Sequence, residues 1–344
     1  MYIIQTGVNP SGIAITKDNK YAYIANNNNY GIDNQDSVSV IDLREKKPIK
    51  IIYDKSFAQP YTITIDKTYL KAYVTNSNGS TISIIDTQKN IVSGEISGFD
   101  GPSGMVIKSD NITAYVNNYG GPDGLKSGNG NTISIVNLQT KQITGTINVD
   151  KAPAGVVLSK DENTLYCFNY VDGTEGSGTI NVIDTSKNEI TATIKGFFGP
   201  FGMIISPIKN FAYVTNFGSN NFNPIGTTVS VVDLKKNEII KTINAGIQPS
   251  GIQFSKDGLF AFVSNYNTLY QDPKNFTGLL PGDGFINIID TQKHEIINQI
   301  IPTGSSPSNI DITPNGKYLI VSNYSSNSIS MIKIEKLLHE LFCQ

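Results

Sequence analysis

The sequence is poor in the residues that most often build catalytic and metal centres. Its 344 residues include two histidines (His294 and His339), two cysteines (Cys167 and Cys343), one arginine (Arg44) and no tryptophan. Because there is no CxxC pair, a cysteine zinc site and a disulfide scaffold are excluded. With only two histidines, a histidine-rich metal centre is not expected. The same scarcity argues against a serine-histidine-aspartate type of active site.

Charge and long hydrophobic runs are also scarce. Charged residues make up 16% of the chain and the formal net charge is -2, which excludes a general nucleic-acid binder with a basic surface. No apolar run approaches the roughly 18 residues that a membrane-spanning helix needs, so we expect no membrane span. Residues 1–7 contain neither a basic region nor a long apolar region. We therefore expect no secretory signal, and a cytoplasmic or particle-associated location unless a leader was removed.

What the sequence has instead is a sevenfold repeat. Each copy opens with a Pro-x-Gly-like element, and the copies follow one another at intervals of 42 to 58 residues. Each copy continues with an aromatic-apolar-small-Asn string and then with an alternating strand that usually ends in Asp-Thr or Asp-Leu. The opening residues are Pro10, Pro60, Pro102, Pro153, Pro200, Pro249 and Pro307. The strings occupy residues 23–26, 73–76, 115–118, 166–169, 213–216, 262–265 and 320–323.

The strand count predicts the fold. A further β-branched strand follows six of the seven copies, and residues 2–7 supply the one that is missing. We therefore predict an all-β, seven-bladed β-propeller of four-stranded antiparallel blades, whose ring is closed by the N-terminal strand. Closure protects sheet edges that would otherwise invite aggregation. The propeller is predicted to be a single domain over residues 1–334. The alternative, two separate β-domains, needs a linker near the middle of the chain, and none is visible.

The last residues, 335–344, differ in pattern from the repeats. They predict a short amphipathic helical tail with Leu337, Leu338, Leu341 and Phe342 on one side. We expect this side to pack against the propeller wall. The alternative is a docking peptide for a groove on a partner.

The repeats also resemble a known family. Residues 73–76 and 213–216 read Tyr-Val-Thr-Asn, and the other five copies are near variants. In this respect residues 1–334 resemble the YVTN-repeat β-propeller family, which includes surface-layer proteins of archaea and bacteria. Related propellers include lactonases and streptogramin lyases. The resemblance therefore implies the fold, but it does not choose between a surface protein and an enzyme.

Candidate binding residues collect in the loops between the second and third strands of the blades. We call the face formed by these loops the upper face. The loops differ strongly in length between copies, and insertions on one face of a repeat protein usually mark its binding side. They carry aromatic residues, which make good binding anchors, and acidic residues. The candidate ligand- or partner-binding residues, including one acid in the central channel, are Tyr30, Tyr119, Tyr170, Asp172, Phe217, Phe222, Tyr266, Tyr270, Asp272, Phe276, Asp283 and Asp311.

For some of these aromatics a packing role is the alternative. Five blades place an aromatic residue directly after the motif asparagine, and a repeated position suggests a repeated structural task. These residues are Tyr119, Tyr170, Phe217, Tyr266 and Tyr324. The aromatics that do not repeat, such as Tyr30 and Phe276, are the better candidates for specific contacts.

The predicted innermost strands contain one acid. Two residues beyond the Gly-like position most copies have an apolar or small residue, whereas the sixth and seventh have Gln253 and Asp311. A buried carboxylate is costly unless it is hydrogen-bonded. We expect Asp311 to bond Gln253 or a central water. Otherwise Asp311 is the one acid near the channel to test as a ligand or a base.

Other repeated polar residues have a structural interpretation. We expect the acids that end the third strands to cap tight turns and the motif asparagines to tie adjacent backbones together. His294 and Arg44 fall in turns between the third and fourth strands, far from the upper face. No catalytic or metal-binding set is predicted, and no cofactor. Calcium is the one ion that the oxygen-rich upper loops would suit, although they have no EF-hand spacing.

These observations together favour a binding role. We expect a non-enzymatic scaffold that binds a protein or glycan partner through the long upper loops, as part of a surface or particle layer. The alternative is a lactonase- or lyase-like enzyme with its site at the mouth of the central channel. A third interpretation is a structural component that assembles with itself.

Overall fold

The computed structural model describes residues 1–28, 35–68, 70–120, 130–219, 224–266 and 283–342. Their strands form seven four-stranded antiparallel sheets, each made of consecutive strands apart from the one that joins the two ends of the chain. This confirms the predicted seven-bladed β-propeller. We letter the strands of each blade from a, the innermost, to d, the outermost, and number the blades along the chain.

The strands have the following bounds. Strands a are β2 (Pro10–Ile15), β6 (Pro60–Ile65), β10 (Pro102–Ile107), β14 (Pro153–Leu158), β18 (Pro200–Ile205), β22 (Pro249–Phe254) and β26 (Pro307–Ile312). Strands b are β3 (Tyr21–Asn26), β7 (Lys71–Asn76), β11 (Thr113–Asn118), β15 (Thr164–Asn169), β19 (Phe211–Gly218), β23 (Phe260–Asn265) and β27 (Tyr318–Asn323). Strands c are β4 (Ser37–Asp42), β8 (Thr81–Asp86), β12 (Thr132–Asn137), β16 (Gly178–Asp184), β20 (Ile225–Asp233), β24 (Phe285–Asp290) and β28 (Ser328–Lys333). Strands d are β5 (Lys47–Tyr53), β9 (Ile91–Ser97), β13 (Gln142–Asn148), β17 (Glu189–Phe197), β21 (Glu238–Asn244), β25 (Glu295–Pro302) and, for blade 7, β1 (Tyr2–Gln5).

The N-terminal strand closes the ring, as predicted. β1 pairs antiparallel with β28, with Ile4 opposite Ile329. Ile4 is buried in the core between blades 7 and 1, whereas its neighbour Ile3 is 48% exposed. The two ends of the repeat array also bond directly, because Ser322 Oγ donates a 2.7 Å hydrogen bond to the carbonyl oxygen of Ser11.

The Pro-Ser-Gly element serves the contact between neighbouring innermost strands. A Cβ atom on Gly12 would lie 2.6 Å from the carbonyl oxygen of Tyr61 in the next blade, so only glycine allows this approach. The preceding hydroxyl, Ser11 Oγ, donates a 2.8 Å hydrogen bond to the same carbonyl oxygen. Similarly, Ser250 Oγ of blade 6 donates a 2.8 Å hydrogen bond to the carbonyl oxygen of Pro307 in blade 7. The serine and glycine of this element therefore allow neighbouring blades to pack closely.

The motif asparagines join strand b to two other segments of their own blade. Asn76 Nδ2 donates to two hydroxyls of strand c, Thr81 Oγ1 at 3.0 Å and Ser83 Oγ at 2.9 Å. Asn216 makes the same double contact in blade 5. The Oδ1 atoms of Asn76, Asn118 and Asn216 each accept a 3.3 Å hydrogen bond from a backbone amide just before strand a, namely that of Ala58, Asp100 or Phe198. These asparagines therefore bond one adjacent backbone, as predicted, and reach strand c through its hydroxyls.

The motif tyrosines connect each blade to the next. Tyr23 OH donates to Asn90 Oδ1 at 2.5 Å, in the c–d turn of blade 2. In blade 5 the partner of Tyr213 OH is His294 Nδ1, at 2.7 Å. His294 thus lies in a c–d turn, as predicted, where its backbone is left-handed (φ 55°) and burial lowers its pKa. Its position indicates a structural role.

Helix α1 (Ile334–Phe342) begins where β28 ends and replaces the c–d turn that blade 7 lacks. Ile334 and Leu337 are buried in the same apolar cluster as Phe262, which occupies the motif tyrosine position of blade 6. A phenyl ring suits this position because the helix offers an apolar surface. The expected packing of the tail is thus confirmed for Leu337 and the partly buried Leu338, whereas the side chains of Leu341 and Phe342 lie outside the described part of the chain. Within the described part of the chain, no helix is long and apolar enough to cross a membrane.

The acids at the ends of strands c cap turns, as predicted. Asp42 Oδ1 accepts hydrogen bonds from the amides of Arg44 at 2.9 Å and Glu45 at 2.8 Å. Asp233 and Asp290 cap the corresponding turns of blades 5 and 6. Their regular spacing therefore marks turns and not catalysis.

Candidate functional site at the mouth of the central channel

A cavity of about 770 Å³ opens at the upper end of the central channel. Strand a of every blade contributes to its wall, and the loops of the upper face form its rim. None of the described side chains that line this cavity is charged. Polar and apolar groups share its wall about equally, and its volume is in the range of small-ligand sites.

One side of the mouth is an arc of aromatic rings, which we call the aromatic arc. Phe201 stacks on Phe217 with ring centroids 5.0 Å apart. Tyr266 follows at 5.9 Å from Phe217, and Tyr324 at 5.9 Å from Tyr266. Two of the predicted site residues, Phe217 and Tyr266, are therefore brought together with the repeated Tyr324. Tyr266 and Tyr324 are only half-buried, so their rings remain accessible from the cavity.

The mouth also includes a tyrosine that sequence reasoning missed. Tyr61 lines the cavity from strand a of blade 2, at the position that Ser11 holds in blade 1. Burial raises the pKa of its phenol, and the nearby Tyr119 and Tyr324 raise it further. The signal that could have found it is the exchange of a small residue for a large aromatic at one register of the repeat. Phe201 departs from the repeat in the same way.

Two other predicted aromatics have a packing role. Tyr119 and Tyr170 are almost fully buried and form a small cluster with Ala152. The hydroxyl of Tyr170 donates to the carbonyl oxygen of Gly218 in the next blade. These two rings support the wall behind the cavity and do not line it.

Amide groups of blades 1 and 2 form the opposite side of the mouth. We call Asn27, Gln59 and Asn78 the amide cluster. Asn27 Nδ2 donates a 3.3 Å hydrogen bond to the carbonyl oxygen of Gln59. The backbone amide of Gln59 in turn donates a 3.1 Å hydrogen bond to Asp36 Oδ2. Burial raises the pKa of the Asp36 carboxyl. These two blades have no aromatic after the motif asparagine, so the repeat leaves room for polar groups.

Asp311 lies deeper in the channel. Gln253 Nε2 of the neighbouring blade donates a 3.1 Å hydrogen bond to Asp311 Oδ1, as one of the predicted alternatives required. The amide of Ile312 donates to the same oxygen at 2.8 Å. Burial raises the pKa of Asp311 to about 6, although both hydrogen bonds act in the opposite direction.

The remaining predicted site residues do not line the cavity. Asp172 is exposed on the upper face, where hydrogen bonds from Ser177 and Thr174 lower its pKa to about 2. Asp283 is half-buried beside strand β24. Among the residues with described side chains, no group of three or more acidic, histidine or cysteine residues could hold a metal ion. Five predicted residues lie outside the described part of the chain: Tyr30, Phe222, Tyr270, Asp272 and Phe276.

Comparison with known proteins supports the seven-bladed propeller fold. The family model of the lactonases, described as seven-bladed β-propellers, matches residues 186–341, from the end of blade 4 to helix α1. A chain of the hydrazine synthase of Kuenenia stuttgartiensis has a similar structure, with a TM-score of 0.76 and 18% sequence identity. The similarity covers 97% of this chain and 97% of that chain, and at this identity it concerns the fold alone. No curated protein matches the sequence.

Proposed function

We propose that this propeller is a non-enzymatic binding scaffold whose channel mouth binds a glycan carried by a partner. The observation that carries the proposal is the two-sided mouth, with the aromatic arc facing the amide cluster across a cavity whose described lining residues are all uncharged. A pyranose ring has an apolar face of C–H groups and a rim of hydroxyls. The first suits an aromatic ring, and the second suits amide donors and acceptors.

Burial and charge both favour a glycan over a protein segment or a phosphorylated ligand. The half-buried rings of Tyr266 and Tyr324 present area without a large loss of side-chain entropy. Among the described residues, the lining has no lysine, arginine or histidine to compensate a phosphate or a carboxylate. The resemblance of the repeats to surface-layer propellers supports a place for this scaffold in a surface or particle layer.

The proposal is tested by glycan-array binding with Tyr266→Ala and Tyr324→Ala. Tyr53→Ala is the matched control, because Tyr53 is 56% exposed on strand d, at the outer rim. Each arc variant should lose at least about tenfold in affinity, equivalent to about 1.4 kcal/mol, for the glycans that wild type binds. The control should bind as wild type does. Equal binding by all three variants, or no glycan bound by wild type, would refute the proposal.

A lactonase-like hydrolase is the second candidate, supported by the family match and by Asp311. In such a reaction water adds across the acyl C–O bond of a lactone and yields a hydroxy acid. Among the described residues, Asp311 is the channel carboxylate available to accept a proton from that water, and Gln253 would hold it in place. Proton release from a γ-lactone in a pH-stat decides between the candidates. Hydrolysis that Asp311→Asn abolishes would replace the binding role with the enzymatic one.

A further inference from the structure

We propose that Asp311 makes the channel select a glycan whose terminal sugar carries a free amino group. This inference rests on the proposed glycan-binding function and assigns its ligand class. It starts from the position of the carboxylate. Asn309 lines the mouth, and Asp311 is two residues further along β26. At about 3.3 Å per residue, Asp311 therefore lies some 6–7 Å below the rim.

Asp311 is the one acid among the seven residues that share its position on strands a. The corresponding positions of the other six strands a hold uncharged residues, namely Ala14, Thr64, Val106, Val157, Ile204 and Gln253. The influences on the pKa of Asp311 are burial, the Ile312 amide and the Gln253 amide, and no other ionisable side chain is among them. The carboxylate is thus a negative charge in the channel without a counter-charge from the described residues.

The hydrogen bonds that the described residues donate to Asp311 all reach one carboxylate oxygen, Oδ1. Both donors, Gln253 Nε2 and the amide of Ile312, bond Oδ1. Oδ2 receives no hydrogen bond from the described residues, and it is not among the polar atoms sealed from solvent. An ammonium group that enters from the mouth would find a free acceptor there. Its charge would also compensate the desolvation that raises the pKa of the acid.

The surroundings favour an organic ammonium over a metal ion. A calcium ion needs six to eight oxygen ligands, whereas one free carboxylate oxygen offers too few. An ammonium group needs few acceptors and is attracted to aromatic faces, which the arc above supplies. A sugar ring between arc and amide cluster would direct a substituent down the channel. An amino sugar would therefore suit both the mouth, through its ring, and the carboxylate of Asp311 below, through its ammonium group.

The test compares three β-1,4-linked disaccharides that differ only in the substituent at C2 of each ring: those of glucosamine, N-acetylglucosamine and glucose. Titration calorimetry at pH 7 should give at least about tenfold tighter binding for the glucosamine disaccharide than for the other two. At pH 5, where Asp311 takes up its proton, this preference should shrink several-fold. Asp311→Asn should abolish the preference but keep the hydrogen bonds to Oδ1.

Asp172→Asn is the matched control, because it removes one negative charge from the same face outside the channel. It should keep the preference of wild type. Equal affinity for the three disaccharides, or a preference that survives in Asp311→Asn, would overturn the inference but leave glycan binding intact. Methylamine bound as tightly as the disaccharide would also overturn it, since the channel would then recognise charge alone. If no glycan binds at all, the proposed function itself fails.

Discussion

At the scale of the residue, the same repeat position serves different purposes according to its neighbours. The motif tyrosine needs an acceptor in the next blade, which Asn90 or His294 provides. Phe262 takes the position where helix α1 presents an apolar surface instead. Asp311 breaks the apolar pattern of the channel and has only Gln253 and one backbone amide to stabilise it. A residue that departs from the repeat therefore points to a local difference in structure.

Asp311→Asn should stabilise the protein in a pH-dependent manner. The carboxyl pKa is raised to about 6 in the folded state, above its ordinary value of about 3.9 in an unfolded chain, so the charged form destabilises the fold. The variant should gain about 1–3 kcal/mol in free energy of unfolding at pH 7.5. The gain should decline as the pH falls from 6 towards 4, because protonated aspartic acid resembles asparagine. Urea unfolding at pH 7.5, 6 and 5 measures it, and a constant or reversed difference would contradict it.

At the scale of the element, each strand a has two tasks. Its small residues allow the next blade to approach, as at Gly12, and its larger residues line the cavity, as at Tyr61. Helix α1 shows how an element can end the repeat. It covers the core between blades 6 and 7 with Ile334 and Leu337 where a hairpin turn would otherwise lie.

Leu337→Ala should destabilise the protein by about 2–4 kcal/mol, because it removes buried methyl groups beside Phe262. Glu335→Ala is the control, since it removes only an exposed ion pair with Lys333. The control should change stability by less than about 1 kcal/mol. Thermal unfolding followed by circular dichroism gives both values. Equal effects of the two substitutions would show that the helix is not held by this contact.

At the scale of the whole molecule, stability depends on the closure of the ring. Each blade packs on two neighbours, and the last one is complete only when β1 pairs with β28. An open array would leave an unpaired edge on β28 and exposed apolar faces, which promote aggregation. The channel mouth also depends on closure, because its lining combines Tyr324 of blade 7 with Ser11 and Asn27 of blade 1.

Ile4→Asn should therefore destabilise the entire propeller. Ile4 is 3% exposed in the junction between blades 7 and 1, and an asparagine there would bury an amide without a partner. We expect a loss of about 2–4 kcal/mol and aggregation at lower temperature. Ile3→Asn, on the exposed side of the same strand, should change the stability by less than about 0.5 kcal/mol. Static light scattering during heating distinguishes them, and similar behaviour of both variants would argue against closure by β1.

The sequence by itself determined the seven blades, the closing strand and the turn-capping acids. These features depend on local alternation, turn chemistry and a repeat period, all of which can be read within one copy. It also indicated Asp311 and its bond to Gln253, because the register of two adjacent strands sufficed. The tertiary structure alone decided which aromatics converge. Phe201, Phe217, Tyr266 and Tyr324, from three successive blades, form one arc of rings, whereas Tyr119 and Tyr170 are buried in the wall. That outcome depends on how blades distant in sequence face a common axis, which no single repeat encodes.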